Sequence, residues 1–252
     1  MKKIILFCLG VALLTLPADA EMILDEVIAA HFDALGGADK LKSVESARLS
    51  GTMSMGPGGE VPFLMVFARP QKARMEFTMQ GMTGIQAYDG ETAWMIMPFM
   101  GKTDPEVMTE DQAKSMVEQA DFDGPLMDWQ EKGHQVELLG LEETEGTEAY
   151  KVKITMKNGD VRYHYLDSEH FVVIKQEGKT MVQGNEMEFE TILSDYKEVG
   201  GLMFPHSIMS RPKGAPEGQA VTIEKVELDV ELPDDYFSMP EVAAAEDVGD
   251  SG

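Results

Sequence analysis

Cysteine is almost missing from this chain: one residue in 252, and that one is Cys8, inside an apolar leader. A disulfide framework is therefore excluded, and so is any site built on thiolates. Cations are scarce too, with 21 Lys and Arg against 45 Asp and Glu, a formal net charge of −24. A chain so acidic does not attract phosphate backbones, which removes nucleic acid as a partner. Past the leader no apolar run approaches the about 18 residues of a membrane-spanning helix, so no transmembrane segment is expected after it. Catalytic patterns are absent as well. His31, His134, His164, His170 and His206 show no zinc-ligand spacing, and no serine stands in a G-x-S-x-G elbow. The glycines mark turns and cradle no phosphate ahead of a helix. The expectation is a protein that is not an enzyme, with no metal and no cofactor.

What is present begins with a processing segment. Lys2 and Lys3 precede the apolar run Ile4 to Leu16, and Ala18-Asp19-Ala20 offers small residues where a signal peptidase reads. Residues 1–20 are read as a signal peptide cleaved after Ala20, which directs the chain to the periplasm. Cleavage removes two positive charges and one negative, so the net charge passes from −24 to −25. Residues 21–240 are read as one domain. The acidic, small-residue tail 241–252 is expected to be disordered.

The domain opens with an amphipathic helix, Glu21 to Leu35, stopped by Gly36-Gly37, and a short helical turn near Ala38 to Val44. The apolar period then changes from helical to two. Leu49, Met53 and Met55 alternate with polar neighbours, as do Met75, Phe77 and Met79, and later Val152, Ile154 and Met156. Asp89-Gly90 and Asn158-Gly159 read as hairpin turns, and Asp104-Pro105 as another turn. A parity change between Ile223 and Val226 predicts a bulge near Glu224-Lys225. One helix interrupts the strands, from the capping box Thr109-Glu110-Asp111-Gln112 to Ala120. The fold class is mainly β: an incomplete antiparallel β-barrel, a curled sheet of roughly ten strands, with helices covering the concave face.

Methionine is the abundant residue, 20 in all, and it clusters in RMEFTMQGMTGIQAYDGETAWMIMPFM, Arg74 to Met100. The thioether is unbranched and adaptable, which suits a wall whose contents vary. The stretches VFARPQKARMEF and IQAYDGETAWMIMPF resemble the LolA-like periplasmic lipoprotein carriers. The resemblance rests on the order of Arg69-Pro70, the Met75/Phe77/Met79 strand, Asp89-Gly90, Trp94 and Pro98-Phe99. It implies an open barrel with an apolar cavity for lipoprotein acyl chains and helices acting as a lid. It places Arg69 as the latch of that lid and Met75 on the cavity wall, while Ala73 stands where the family has a large aromatic.

Strand parity and the resemblance together select Met53, Met55, Met75, Phe77, Met79 and Trp94 as the apolar, ligand-binding lining. Arg69 is expected to bond to the Thr109 to Ala120 helix or to the leading helix. The function expected is a monomeric carrier of lipoproteins or a similar amphiphile, serving outer-membrane sorting between membrane-bound donor and acceptor proteins. A lipid-sensing regulatory module of the same fold is the first alternative. An envelope hydrolase using His164 or His206 is the second.

Overall fold

In the computed structural model, residues 22–54, 59–182 and 185–241 are described. The expected signal segment 1–20, Met55 and nearly all of the acidic tail lie outside the described residues. The leading helix α1 (Leu24–Ala34) starts where the Glu26 carboxylate accepts the backbone N–H of Ile23 at 3.1 Å. Asp25 and Glu26 in its first turn complement the helix dipole. It ends at Gly36, whose φ of 105° is backbone that side-chain-bearing residues avoid, and a Cβ there would strike the Gly201 carbonyl oxygen. A short helix α2 (Ala38–Ser43) follows.

Among the described residues thirteen antiparallel strands make one sheet. The first six are β1 (Ser46–Ser54), β2 (Glu60–Ala68), β3 (Lys72–Met79), β4 (Met82–Tyr88), β5 (Ala93–Met97) and β6 (Lys102–Val107). The helix α3 (Glu110–Ala120) comes next. The rest are β7 (Gln135–Thr144), β8 (Thr147–Thr155), β9 (Val161–Asp167), β10 (Val173–Val182), β11 (Asn185–Val199), β12 (Leu202–Pro212) and β13 (Gln219–Leu228). The spatial order runs from β6 down to β1, then from β13 down to β7. Consecutive strands therefore pair throughout, except β6 and β7 at the two edges, and β1 pairs with β13 along a seam. Two meanders meet at that seam. The chain between β6 and β7 carries α3 from one open edge of the sheet to the other.

The expected ten strands become thirteen. β6 (KTDPEV) has no apolar alternation, and Asp104-Pro105, expected as a turn, lies inside it. An edge strand needs neither a buried face nor a donor at every residue, so proline and charge are tolerated there. The expected bulge is present: the seam register steps from Ser50↔Lys225 to Gly51↔Ile223, skipping Glu224. Only glycine fits at 51, because a Cβ would run into the Thr222 carbonyl.

The helices cover one face, here called the inner face. Against α1 the buried side chains of β7 to β10 are Val136, Tyr150, Val152, Ile154, Leu166 and Val173, joined by Leu126 and Met127 from the crossover. α3 packs on β3, β4 and β5 with Met116 and Ala120, over Ala73, Ala93, Met95 and Met97. Between the two helices lies the inner face of β1, β2, β12 and β13.

Candidate functional site: an apolar inner face under a tied crossover

Register decides which predicted residues share a wall. Met53 pairs with Val61, Met75 with Met65, Phe77 with Phe63, and Met79 with Met82. All of these but the exposed Met82 form one apolar cluster with Ile223 and Val226, bordered by Leu49, Phe204, Ile208 and Val221. Met53 is buried, whereas Met75, Phe77 and Met79 are only half-buried. Four of the six expected lining residues thus stand together on the inner face. Met55 lies outside the described residues.

Trp94 is corrected. It pairs with Ala87, so its side chain is on the outer face, while Met95, paired with Gln86, takes the inner position. There Trp94 is fully buried beneath the segment after β13, and its indole N–H donates to the Phe237 carbonyl at 2.9 Å. The Arg74 guanidinium lies 5.6 Å from the Trp94 ring and 5.0 Å from that of Tyr236, a cation held between two aromatics. Five residues in a row, AWMIM, offer no polar member to set the phase. The partner that fixes it lies 143 residues away.

Arg69 stands at the start of the crossover's anchorage. Its guanidinium donates to both Asp123 oxygens at 2.6 and 2.7 Å, to Leu41 O at 3.0 Å and to Val44 O at 2.8 Å. It also lies 5.7 Å from the Phe122 ring. One side chain thereby joins the end of α2 to the segment just past α3. The bond to Asp123 raises its pKa further, so it remains a cation. The expected partner on α3 or the leading helix is replaced by these two neighbouring segments. A single planar fork can serve both because its donors point in fixed directions.

The rest of the crossover is held in the same manner. Lys132 bridges to Asp121 at 2.7 Å, and Lys42 bonds Asp128 at 2.7 Å. On α3 itself, Lys114 pairs with Asp160 at 2.6 Å and Glu118 with Arg162 at 3.2 Å, both on the far meander. Lys114 holds the Asp160 carboxyl below its ordinary pKa. α3 therefore bridges the mouth of the sheet, apolar beneath and tied by charge at its rim.

The partly open space beside α3 is about 190 Å³, lined by Met95, Met108 and Met116 with Gln86, Gln112, Ser115 and Gln119. That is below the about 300 Å³ at which small-molecule sites begin. A larger concavity of about 410 Å³ borders β9 and β10, but its cations are engaged: Lys153 by Glu137, Lys179 by Glu186, Lys213 by Glu177. Of the histidines, His31 donates from Nδ1 to the Phe171 carbonyl at 2.7 Å, and burial lowers its pKa. His164 is fully enclosed. Burial first, then the charges of His31 and Arg162, push its pKa down to about 3, so it is neutral. His206 lies 3.0 Å from the Phe204 carbonyl through Nδ1.

No helix among the described residues is long and apolar enough to cross a membrane. A family model described as an uncharacterized protein matches residues 59–242. No curated protein matches the chain. Solved structures do. A DUF1329 family protein from Desulfovibrio piger aligns over 83% of this chain and 96% of its own, at 14% identity and a TM-score of 0.58. A LolA superfamily protein from Nitrosomonas europaea aligns over 84% and 96%, at 14% identity and a TM-score of 0.56. A putative outer membrane lipoprotein-sorting protein domain from Vibrio parahaemolyticus aligns over 84% and 95%, at 12% identity and a TM-score of 0.54. The chain belongs to the family whose model matches it, and its fold, like the Arg-Pro, Asp-Gly and Trp pattern of its sequence, is LolA-like.

Proposed function

We propose that the protein is an exported carrier that takes up the acyl chains of a lipoprotein or similar amphiphile along its inner face and delivers them by opening at α3. The observation that carries this reading is the half-buried floor of Met75, Phe77 and Met79 beside a helix secured mainly at its rim. A plain structural core would be sealed. Sheltering about eight methylenes on such a floor yields about 6 kcal/mol before the cost of ordering the chain. Methionine walls let the floor fit chains of different length. The space beside α3 is too small for an acyl chain, so α3 lifts on loading, and a cover preferred only slightly can lift.

The neighbour from Vibrio parahaemolyticus is a putative lipoprotein-sorting domain, which supports placing this carrier between membranes, processed after Ala20. Binding without chemistry is the role proposed. Among the described residues His164 has no partner on Nδ1 to orient it as a base, and His206 spends Nδ1 on a backbone carbonyl. The test is an environment-sensitive apolar dye: it binds the purified protein and long-chain fatty acids displace it. A folded protein that takes up neither makes the methionines ordinary packing and ends the carrier reading. Mass spectrometry of extracted ligands then identifies the cargo.

A further inference from the structure

One row across the inner face of the second meander is polar where its neighbour is apolar. The pairings His164↔Gln176, Gln176↔Thr191, Thr191↔Ser210 and Ser210↔Gln219 set five polar side chains side by side on β9 to β13. In the next row, Leu193↔Ile208↔Val221↔Met53, the last three belong to the floor's cluster, while Leu193 packs against the core under α1. The Gln219 amide, 3.8 Å from the Met53 sulfur, confirms that both rows face the same way.

This row holds unspent hydrogen-bonding capacity. Among the described residues His164 Nδ1 is buried without a partner, which costs free energy that an apolar residue would not incur. Gln176, half-buried, makes no side-chain hydrogen bond among the described residues. The Thr191 and Ser210 hydroxyls bond each other at 2.8 Å, which leaves one hydrogen and several lone pairs free. The row is also uncharged. Arg162, two residues before His164, is taken up by Glu118 and by the Lys179 carbonyl at 2.9 Å, and Arg211, next to Ser210, by Glu190 at 2.6 Å. The chain as a whole repels anions, at a net charge of −24.

We propose that this row binds the head of the amphiphile whose chains lie on the methionine floor, and that the head is neutral and rich in carbonyls. Ester- or amide-linked acyl groups fit it; free carboxylates and phosphates do not. The inference rests on the carrier reading. The Gln176 amide and the one free hydroxyl hydrogen of the Thr191–Ser210 pair donate to carbonyl oxygens, and three strands span about 10 Å, room for two or three neighbouring ester groups. The chains then run over Ile208 and Val221 towards Phe77.

The experiment is a competition in one sample, where dioleoylglycerol and oleate each displace the apolar dye, so that their ratio does not depend on the folded fraction. Gln176→Leu and Thr191→Val are each expected to weaken dioleoylglycerol about tenfold against oleate, with oleate itself unchanged. Thr191→Ser, which keeps the hydroxyl, restores the ratio. A ratio that does not move, or an equal loss for both ligands, overturns the proposal. If the wild-type protein binds neither the dye nor oleate, the carrier reading fails first and the head site falls with it. A diacylated lipopeptide included as a third competitor separates the sources. Tighter binding than dioleoylglycerol assigns the head to a lipid-modified chain terminus, and weaker binding to a free glyceride; both support a neutral carbonyl site.

Discussion

Under α1, the inner face of β7 to β10 is made of Val152, Ile154 and Leu166, all fully buried, with Tyr150 stacked on Phe171 at 5.9 Å. Under α3, the matching face of β3 to β5 is made of Met95 and Met97, and the adjoining Met75, Phe77 and Met79 remain half-buried. β-Branched and stacked aromatic side chains have few shapes, so the first wall accepts one cover in one position. Thioethers have many shapes, so the second wall tolerates a cover that moves. The covers differ to match. α1 presents Val27, Ile28 and Phe32 to its wall, whereas α3 buries only Met116 and Ala120 and relies on ion pairs at its rim. Such exposed pairs contribute under about 1 kcal/mol each. One half of the molecule is packed to stay shut, and the other, on the carrier reading, to open.

The most forceful way to break this comparison is to truncate both walls. Leu166→Ala should cost about 3 kcal/mol in urea unfolding, as full burial and a rigid surround leave a cavity. Met79→Ala should cost under about 1 kcal/mol, because the side chain is already half in solvent. Equal costs would mean that the two walls are packed alike.

Arg69→Leu comes next. Losing the paired bonds to Asp123 should favour opening of the crossover by about 2 kcal/mol, read as faster hydrogen exchange in residues 109–123, with α1 unchanged. Arg69→Lys should restore little, since an ammonium cannot reach Asp123 and two carbonyls at once. Equal exchange in both helices would place Arg69 outside the latch.

Acid should act on the shut half. His31 and His164 have folded pKa values below 6.5, so the unfolded chain binds protons first as pH falls. Stability then declines from about pH 6.5 downward, by about 1.4 kcal/mol per pH unit for each buried histidine. The paired carboxylates Asp160, Glu177 and Glu190 add their loss only below about pH 4.5. His164→Gln should flatten the decline between pH 6.5 and 4.5; an unaltered slope would show that His164 does not titrate on unfolding.

A small effect is expected at Trp94. Trp94→Phe removes the bond to Phe237 O and should cost about 1 kcal/mol without changing dye affinity, because the ring is behind the wall. A change in dye affinity would return Trp94 to the lining.

The wall itself could be read in the sequence. Met75, Phe77 and Met79 alternate with Arg74, Glu76 and Thr78, and solvent on one side of a strand enforces that alternation. Trp94 could not be placed, because both sides of β5 are buried and apolarity carries no phase there. β6 was invisible for the opposite reason, since an edge strand with both sides wet has no pattern to show. In β7, Gly140 with φ of 101° inserts a bulge that breaks the alternation between Leu138 and Leu141. Asp123 escaped notice as the partner of Arg69 because it follows the helix without any cap or period to mark it. The polar row spreads over five strands, one residue from each, and no stretch of chain contains two of them side by side.

The seam between β1 and β13 has a kinetic meaning. Each other strand pair closes a local hairpin or short connection, but Arg48 must find Glu227 across nearly the whole domain. Loop closure of that length is the most costly step in chain entropy, and it gains nothing until both meanders present finished edges. The two halves are thus free to form early as separate units, with the seam sealing last. Gly51 then acts as a checkpoint for the union: its missing Cβ admits the Thr222 carbonyl in one register only. A slip by one residue would put a side chain against that oxygen and turn the methionine wall outward, so the same bulge that sets the register also prevents the greasy face from assembling on the wrong side.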